Sequence, residues 1–318
     1  MITETCSGVA VRCSVSRSVF RSGRSGRAKW LAKRREMITA SDWAAILGFD
    51  PRRSALDVFV SKKTGAELED NDALLLGRVM EPGISAAYVQ KTGRHVYDPG
   101  DYTIYQHPDV PWLGATLDRV TWQLDDDWEN LPGAPLELKH AGSQKRREWK
   151  DGCPLWVEIQ LQGQTACYSS TWGAYCGVIG GQSIHLGDIG RNDAFIESTI
   201  PVLEAFRKRL ADNDPPPPTS PKDLNAIKAL YPLDNGDSVP LDGDALELVN
   251  AWEAAKLSVK EVTGRKEELE AKIRATLGEA TFGLLNDGTM VTLKTTKNKG
   301  YTKTVQPFEY RTLRRVKI

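Results

Sequence analysis

Glu137 and Lys139 have the residue types and the spacing that phosphate hydrolysis requires. The segment Leu136-Glu137-Leu138-Lys139 alternates apolar and charged residues, which predicts a strand with both charged side chains on one face. Asp118 lies in a second predicted strand, residues 113–124. Carboxylates gathered at one edge of a sheet favour a site for Mg²⁺, because this hard cation prefers carboxylate oxygens.

Such a site suits the hydrolysis of a phosphodiester. A bound divalent ion neutralises a non-bridging phosphate oxygen and makes a hydroxide available. Lys139 would orient or deprotonate the attacking water and would neutralise charge that develops in the transition state. An ordinary surface ion pair explains the same two residues equally well, so further residues must decide.

The Glu-x-Lys spacing occurs three times in the chain. The pairs that begin at Glu148 and Glu270 fall in segments predicted to be charged helices, where residues i and i+2 do not face each other. Only the pair that begins at Glu137 has a strand context and an upstream aspartate. It alone is therefore a candidate catalytic pair.

Six short motifs occur in a fixed order along residues 30–212. They are Trp30-x3-Arg34, Ile38-Thr39-Ala40-Ser41, Gly77-x3-Glu81, Gly114-Ala115-Thr116-Leu117-Asp118, Leu136-Glu137-Leu138-Lys139 and Gln160-Leu161-Gln162. Together they resemble the YqaJ-like viral recombinase family, a relative of the lambda-type exonucleases within the PD-(D/E)xK nuclease superfamily. Each motif is weak alone, and the ordered set is fairly specific.

The resemblance implies catalytic roles for the matching residues. The metal ligands that it implies are Glu81, Asp118, Glu137 and the main-chain carbonyl of Leu138, with Asp109 near a position where relatives carry an extra acid. Lys139 matches the catalytic lysine. Gln162 matches a glutamine that orients this lysine or the scissile phosphate, and Gln160 is the alternative. The implied cofactor is Mg²⁺, for which Mn²⁺ is able to substitute. The resemblance implies two ions in each site.

A second set of residues matches positions that hold the terminal 5′-phosphate in exonucleolytic relatives. These are Arg34, Ser41 and Thr116, where threonine replaces a more usual serine. In a single strand, Thr116 and Asp118 would share a face, which predicts that the threonine hydroxyl points towards the metal side.

The predicted function is an Mg²⁺-dependent exonuclease that digests one strand of duplex DNA from a 5′ end. It would leave a 3′ single strand for phage-type homologous recombination. The implied partners are duplex DNA ends, a phage single-strand annealing protein and further copies of the chain in a trimeric ring. Two alternatives stay open: a structure-specific or restriction-like endonuclease of the same superfamily, and a non-catalytic DNA-binding or annealing protein.

Composition excludes several classes of protein. No apolar run in the 318 residues is long enough to span a membrane. The five cysteines form no Cys-x-x-Cys pair, which argues against a zinc ribbon or a disulfide framework. No phosphate-binding Gly-x4-Gly-Lys motif is present, so a built-in ATPase is excluded. The cysteine usage fits a reducing cytoplasm, and the family resemblance implies a phage- or prophage-encoded protein in a bacterial host.

The net charge of zero conceals two basic ends. Residues 1–35 hold nine Lys or Arg and one acid, and residues 288–318 hold eight and one. This distribution fits either a polyanionic partner or two solvated polar ends.

The predicted elements indicate an α/β (α+β) fold, and the resemblance implies a restriction-endonuclease-like core. A central mixed sheet would be flanked by helices, and a C-terminal helical and β-hairpin appendage would follow. We predict a disordered basic tail (1–28), a nuclease domain (29–214), a proline-rich linker (215–240) that starts at four prolines, and a C-terminal module (241–318). This module would contain one long helix with an apolar stripe, with Gly264 as a possible break, and a basic hairpin. A further helix is predicted over residues 143–150.

Overall fold

A computed structural model of the chain describes residues 3–6, 9–12, 19–21, 26–65, 71–129, 131–300, 302, 305 and 307–316. The strands are β1 (Thr3–Cys6), β2 (Val9–Arg12), β3 (Val19–Arg21), β4 (Ile38–Thr39), β5 (Val96–Tyr97), β6 (Thr103–Gln106), β7 (Leu113–Ala115), β8 (Arg119–Thr121), β9 (Ala134–Ala141), β10 (Trp172–Ile179), β11 (Ser183–Gly190), β12 (Phe282–Leu284) and β13 (Met290–Thr292). The helices are α1 (Gly26–Glu36), α2 (Ala40–Ile46), α3 (Ala55–Thr64), α4 (Asp72–Thr92), α5 (Leu155–Tyr168), α6 (Asp193–Asp212), α7 (Asp223–Leu230) and α8 (Ala245–Leu277).

Two mixed sheets form the centre of the first part of the chain. One has the strand order β11-β10-β9-β8-β5, and the other has the order β3-β6-β7-β4. The pairs β9–β10 and β4–β7 are parallel, and the other neighbours in these sheets are antiparallel. Helices flank both sheets, so the predicted α/β class with mixed sheets is confirmed.

Strand β9 separates an apolar face from a polar one. Leu136 and Leu138 pack with Ile84 and Tyr88 of α4 on one side of the sheet. Glu137 points to the other side, where it meets polar side chains of α5. The alternation of residues along β9 therefore decides which helix each side chain meets.

Helix α5 lies close to α2 because both helices present small residues to each other. A Cβ atom at Gly163 would lie 2.9 Å from the Cβ atom of Ala40, which is closer than real Cβ contacts. Glycine at this position therefore permits the approach. The contact fixes the distance between the end of β4, which leads into α2, and the polar face of α5.

The strand predicted over residues 113–124 is two strands in different sheets. β7 ends at Ala115, β8 begins at Arg119, and the connecting residues include Thr116 and Asp118. The Asp118 carboxylate accepts a hydrogen bond from the Leu138 amide at 2.8 Å, so a side chain satisfies the main chain of β9 here. The prediction that Thr116 and Asp118 share one strand face is therefore wrong.

The prediction of a helix over residues 143–150 is also wrong. Only a 3-10 turn forms, at Ser143–Lys145. Trp149 is buried instead, and its ring lies where a Cβ atom at Gly177 of β10 would be only 2.6 Å away. Burial of this large ring against the sheet overrides the local helical preference.

The chain divides into two compact units, Met1–Leu230 and Tyr231–Ile318. The first unit ends later than the predicted boundary at residue 214, because α7 packs on α3 through Leu56, Val60 and Ala226. Asp223 is buried at the start of α7, where it accepts hydrogen bonds from the Ser54 hydroxyl and from two main-chain amides. The predicted linker of residues 215–240 therefore begins too early, because the first unit continues to Leu230.

This packing predicts different stabilities for two truncated chains. A chain that ends at Leu230 keeps α7, whereas a chain that ends at Asp214 exposes Leu56 and Val60 and leaves the Ser54 hydroxyl without Asp223. We expect the shorter chain to be less stable by about 2–4 kcal/mol. Urea unfolding of the two chains measures this difference. Equal unfolding midpoints would show that α7 adds nothing to the first unit.

The basic tail predicted to be disordered contains three short strands. β1 and β2 pair with each other, and β3 pairs antiparallel with β6. Val19 of β3 packs against the main core cluster, which explains why this strand is ordered. The prediction of disorder is wrong for these strands and for the start of α1. Residues 1–2, 7–8, 13–18 and 22–25 of the predicted tail lie outside the described residues.

The second unit contains the long helix and the hairpin that were predicted for it. α8 runs without interruption past Gly264, and β12 pairs with β13. No helix in the described part of the chain combines the length and apolar character needed to cross a membrane.

Candidate active site

Glu137 is a buried carboxylate with three side-chain partners. It is 1% exposed. Its Oε1 accepts hydrogen bonds from the Lys139 ammonium and from Gln160 Nε2, the latter at 2.7 Å. Its Oε2 accepts a hydrogen bond from Gln164 Nε2 at 2.6 Å. An acid this deeply buried needs such partners, and together they fix its position.

Asp118 and Glu81 lie within the electrostatic influence of Glu137. Burial raises the pKa of Asp118 well above its usual value, and the negative charge of Glu137 raises it further, while Lys139 opposes the shift. Burial also raises the pKa of Glu81, against the influence of Arg119, and Glu137 again adds to the rise. Mutual repulsion of this kind favours a cation among the three acids.

The three acids fit a hard divalent cation in donor chemistry and in charge. Among the described residues, however, no three Asp, Glu, His or Cys side chains are arranged closely enough to hold a metal ion jointly. Glu137 is instead occupied by Lys139 and the two glutamines. The Leu138 main chain lies beside Asp118 through its amide. A cation at this site would therefore compete with the Lys139 ammonium for Glu137.

Gln160, the alternative glutamine of the sequence prediction, contacts the catalytic pair. Its Oε1 accepts a hydrogen bond from Lys139 Nζ at 3.3 Å, while its amide nitrogen donates to Glu137. The Lys139 ammonium also lies 5.2 Å from the centre of the Trp156 ring. Gln160 therefore bridges the acid and the lysine.

Gln162, the first candidate, bonds to main-chain groups rather than to Lys139, so its role stays a prediction. Its Nε2 donates to the Gly190 carbonyl at 2.9 Å, and its Oε1 accepts from the Asn192 amide at 2.8 Å. Residues two apart on a helix point in different directions, so Gln160 and Gln162 do not reach the same partner. These hydrogen bonds connect α5 to the segment that leads into α6.

Gln164 is a site residue that the sequence analysis missed. Its amide nitrogen donates to Glu137 and, at 3.4 Å, to the Thr116 carbonyl. Its spacing of four residues from Gln160 could have identified it, because residues four apart lie on one face of a helix.

These contacts predict opposite results for two buried glutamines of α5. Gln164→Ala removes a hydrogen bond that positions Glu137, so we expect nuclease activity to fall by about 10-fold or more while the fold persists. Gln162→Ala breaks two main-chain contacts, so we expect lower thermal stability but normal activity per folded molecule. Turnover and thermal unfolding of both variants test this assignment. Greater loss of turnover in Gln162→Ala would reverse it.

The residues predicted to bind a terminal phosphate come together at one place. Arg34 Nη2 donates to Ser41 Oγ at 3.1 Å, and the Arg34 guanidinium lies 4.5 Å from the centre of the Trp30 ring. Trp30 Nε1 in turn donates to Thr116 Oγ1 at 3.3 Å. A cation and two hydroxyl groups are thus assembled by α1, α2 and the loop after β7.

A buried network of charged residues contacts Arg34. Asp42 lies 2.8 Å from Lys62 Nζ and 3.6 Å from Arg53 Nη2, and Lys62 also donates to the Arg34 carbonyl at 2.8 Å. Burial lowers the pKa of Arg34, Asp42 opposes this, and Arg53 adds to the lowering. A guanidinium that is poorly hydrated in this way gains from an anionic ligand.

One cleft is lined both by residues predicted to bind a terminal phosphate and by two of the three acids. It has a volume of about 1220 Å³, and its walls include Arg34, Thr116, Glu81 and Asp118. Among the described residues, nine basic and six acidic side chains line it, an excess that favours a polyanion. Asp109 is exposed outside this lining, with its amide bonded to His107. Its predicted part in a metal site is therefore not supported by its position.

Comparison with known proteins finds a family model and a relative that are similar to this chain. Residues 29–171 match the model of the YqaJ-like viral recombinase domain. "Uncharacterized protein YqaJ" of Bacillus subtilis (strain 168) is 23% identical over 271 residues, which cover 82% of this chain and 81% of that protein.

Solved structures show more distant similarity. An alkaline exonuclease (LHK-Exo) from Laribacter hongkongensis is 22% identical with a TM-score of 0.47, over 64% of this chain and all of that one. A phage related exonuclease from Haemophilus somnus 129PT is 11% identical with a TM-score of 0.40, over 55% of this chain and 93% of that one. The family match contains the acids, Lys139 and the Arg34 cluster, which confirms the family resemblance of the motifs. Over residues 29–171 the chain is therefore similar to YqaJ-like viral recombinase domains.

Proposed function

We propose that the chain is a metal-dependent DNA exonuclease that degrades one strand of duplex DNA from its 5′ end. The observation that carries the proposal is the buried Glu137, held against Lys139 within the influence of Asp118 and Glu81. A fully buried acid is costly for the fold, and a catalytic role explains why it stands there. The description of the matched family as viral recombinases and the basic cleft support DNA as the substrate.

The proposed mechanism assigns a task to each residue of the site. Glu81, Asp118 and Glu137 would hold Mg²⁺, for which Mn²⁺ would substitute, with two ions in each site. When bound, the metal supplies Lewis-acid chemistry at the scissile phosphate. The Lys139 ammonium, once released from Glu137, orients the attacking water and neutralises charge that develops on the phosphate. Gln160 and Gln164 keep Glu137 in place throughout.

Digestion of linear and covalently closed circular duplex DNA with Mg²⁺ tests this function. We expect mononucleotides from linear DNA, no change in circular DNA, and no product when the metal is chelated. Nicked or linearised circles would instead indicate an endonuclease. Binding of DNA without any product, in Mg²⁺ or Mn²⁺, would indicate a non-catalytic protein.

The position of Arg34 supports the proposed direction of digestion. A terminal phosphate carries more negative charge than an internal diester, so it is the better ligand for a poorly hydrated guanidinium beside hydroxyl groups. Arg34 and Thr116 lie in the same cleft as Asp118. Holding the 5′ end at Arg34 would place the first linkage of the strand among the acids.

Duplexes that differ only at the 5′ end test this direction. We expect a 5′-phosphorylated duplex to be digested about 10-fold faster than a 5′-hydroxyl duplex, because a charged hydrogen bond contributes about 1.5–3 kcal/mol. Arg34→Gln should remove this preference. Lys33→Gln is the matched control, since Lys33 neighbours Arg34 but pairs with Glu36 outside the cleft. Equal rates on both duplexes with the unaltered protein would contradict the proposed direction.

The product of this reaction is a duplex with a 3′ single-stranded end. Such a strand is the substrate class of a single-strand annealing protein, so we extend the proposal to phage-type recombination in the cytoplasm of a bacterial host. The description of the matched family as viral recombinases supports this role. Assembly of the chain as a trimeric ring stays a prediction from the resemblance.

A further inference from the structure

Helix α8 is a long helix whose apolar side chains are exposed. It has 33 residues, about 50 Å in length, and none of these residues, all of them described, is buried. The exposed fraction is 72% for Leu248, 66% for Val259 and 69% for Val262. A solvated helix of this length does not need such residues, so their arrangement is informative.

A heptad repeat of mostly apolar residues runs from one end of α8 to the other. Steps of three and four residues alternate without a break, and eight of the ten positions a and d are apolar. We call these positions the α8 seam: Ala245, Leu248, Trp252, Ala255, Val259, Val262, Lys266, Leu269, Ile273 and Thr276. A period of 3.5 residues maintained over this length is typical of a coiled coil. Gly264 lies at position f, away from the seam, where it interrupts nothing.

Arg315 contacts α8 on its outer side. Arg315 donates hydrogen bonds to Asn250 at 2.9 Å and to Glu253 at 2.8 Å. These two residues occupy positions f and b, which face away from the seam. The contact orders the end of the chain along α8 and leaves the seam available.

We propose that the α8 seam pairs with the same seam of a second copy of the chain, in antiparallel orientation. When the two copies are aligned at Val259 and Val262, every position a meets a position d of the other copy. Trp252 then meets Leu269, and Leu248 meets Ile273. Lys266 meets Ala255, whose small side chain leaves room for the lysine to extend to solvent.

Charge distribution favours the antiparallel orientation over the parallel one. A parallel pair would bring Lys266 against Lys266 within the seam, which places two like charges together in an apolar contact. In the antiparallel pair, the flanking charged residues meet neutral ones. Arg265 meets Ser258, Lys272 meets Ala251 and Glu270 meets Val249. No like-charged pair arises along either flank.

The mass of the full-length protein in solution tests the pairing. Val262→Lys puts a charge into the centre of the seam, so sedimentation should show half the mass of the unaltered protein. Leu257→Lys is the matched control, because Leu257 is 63% exposed on the same helix but lies at position f. It should leave the mass unchanged. Circular dichroism checks that both variants keep their helix. Equal masses for Val262→Lys and the unaltered chain would overturn the proposal.

Disulfide formation tests the orientation of the pair. In the antiparallel arrangement, a mixture of Val259→Cys and Val262→Cys chains, distinguishable by mass, should form a crosslink between unlike chains. Each variant alone should give no more crosslink than the unaltered protein under the same oxidation. Rapid crosslinking of Val259→Cys with itself would indicate a parallel pair and would overturn the proposed orientation. The proposal concerns assembly alone and does not rest on nuclease activity.

Discussion

Glu137→Gln is expected to lower the rate of DNA hydrolysis by about 10³-fold or more, the scale of losing a group that stabilises charge at the reacting phosphate. Glutamine has nearly the same size and still accepts hydrogen bonds through one oxygen. It lacks the negative charge that Glu137 shares with Asp118 and Glu81. The substitution therefore removes cation binding while retaining most of the packing in β9.

A matched control exists within the same sequence. Glu148→Gln changes an acid with the same Glu-x-Lys spacing that is exposed and pairs with Lys145. It should leave the rate unchanged, and both variants should retain the unfolding temperature of the unaltered protein within a few degrees. A folded Glu137→Gln protein with more than a tenth of the original rate would rule out Glu137 as a catalytic residue.

Asp42→Asn is expected to destabilise the first unit by about 3–5 kcal/mol, the usual cost of removing one partner from a buried ion pair. Asp42 is 3% exposed and lies between Lys62 and Arg53. Asparagine would leave the buried Lys62 ammonium without a counter-charge. Chemical unfolding at neutral pH measures the loss.

The pH dependence of this effect has a definite sign. Burial alone would raise the pKa of Asp42, but Lys62, Arg53 and Arg34 together hold it well below its usual value. A lowered pKa stabilises the folded state above the unfolded pKa of about 3.9, and this contribution is lost as the pH falls further. The difference between the unaltered protein and Asp42→Asn should therefore shrink below about pH 4.

An exposed aspartate provides the comparison for Asp42. Asp193 pairs with Arg191 at the surface, so Asp193→Asn should cost less than about 1 kcal/mol. If Asp42→Asn costs no more than Asp193→Asn, the buried network does not stabilise the unit.

Sequence patterns within a few residues were sufficient to predict the centre of the candidate site. Alternation in residues 136–139 predicts that Glu137 and Lys139 share a face, and the structure joins them by a hydrogen bond. Likewise, Gly180 and Gly181 predict the turn between β10 and β11, and both adopt positive φ there. In each case the decisive contacts lie within a few residues of each other.

Contacts between distant residues explain the predictions that were wrong. The break between β7 and β8 is stabilised by the Asp118 carboxylate on an amide 20 residues later. The first unit extends to Leu230 because Asp223 bonds to Ser54, 169 residues away. Four consecutive prolines marked the right region, but no local pattern at residue 223 indicates that its carboxylate is buried.

The face that each glutamine of α5 occupies has a consequence for the insertions and deletions that homologous chains can carry. Each helical residue advances the direction of its side chain by about 100°. One residue added between Gln160 and Gln164 would turn Gln164 away from Glu137, and no side-chain rearrangement would restore the contact. We therefore expect related sequences to vary in length at the turn around Gly180 and Gly181, whereas the segment from Gln160 to Gln164 keeps a constant length.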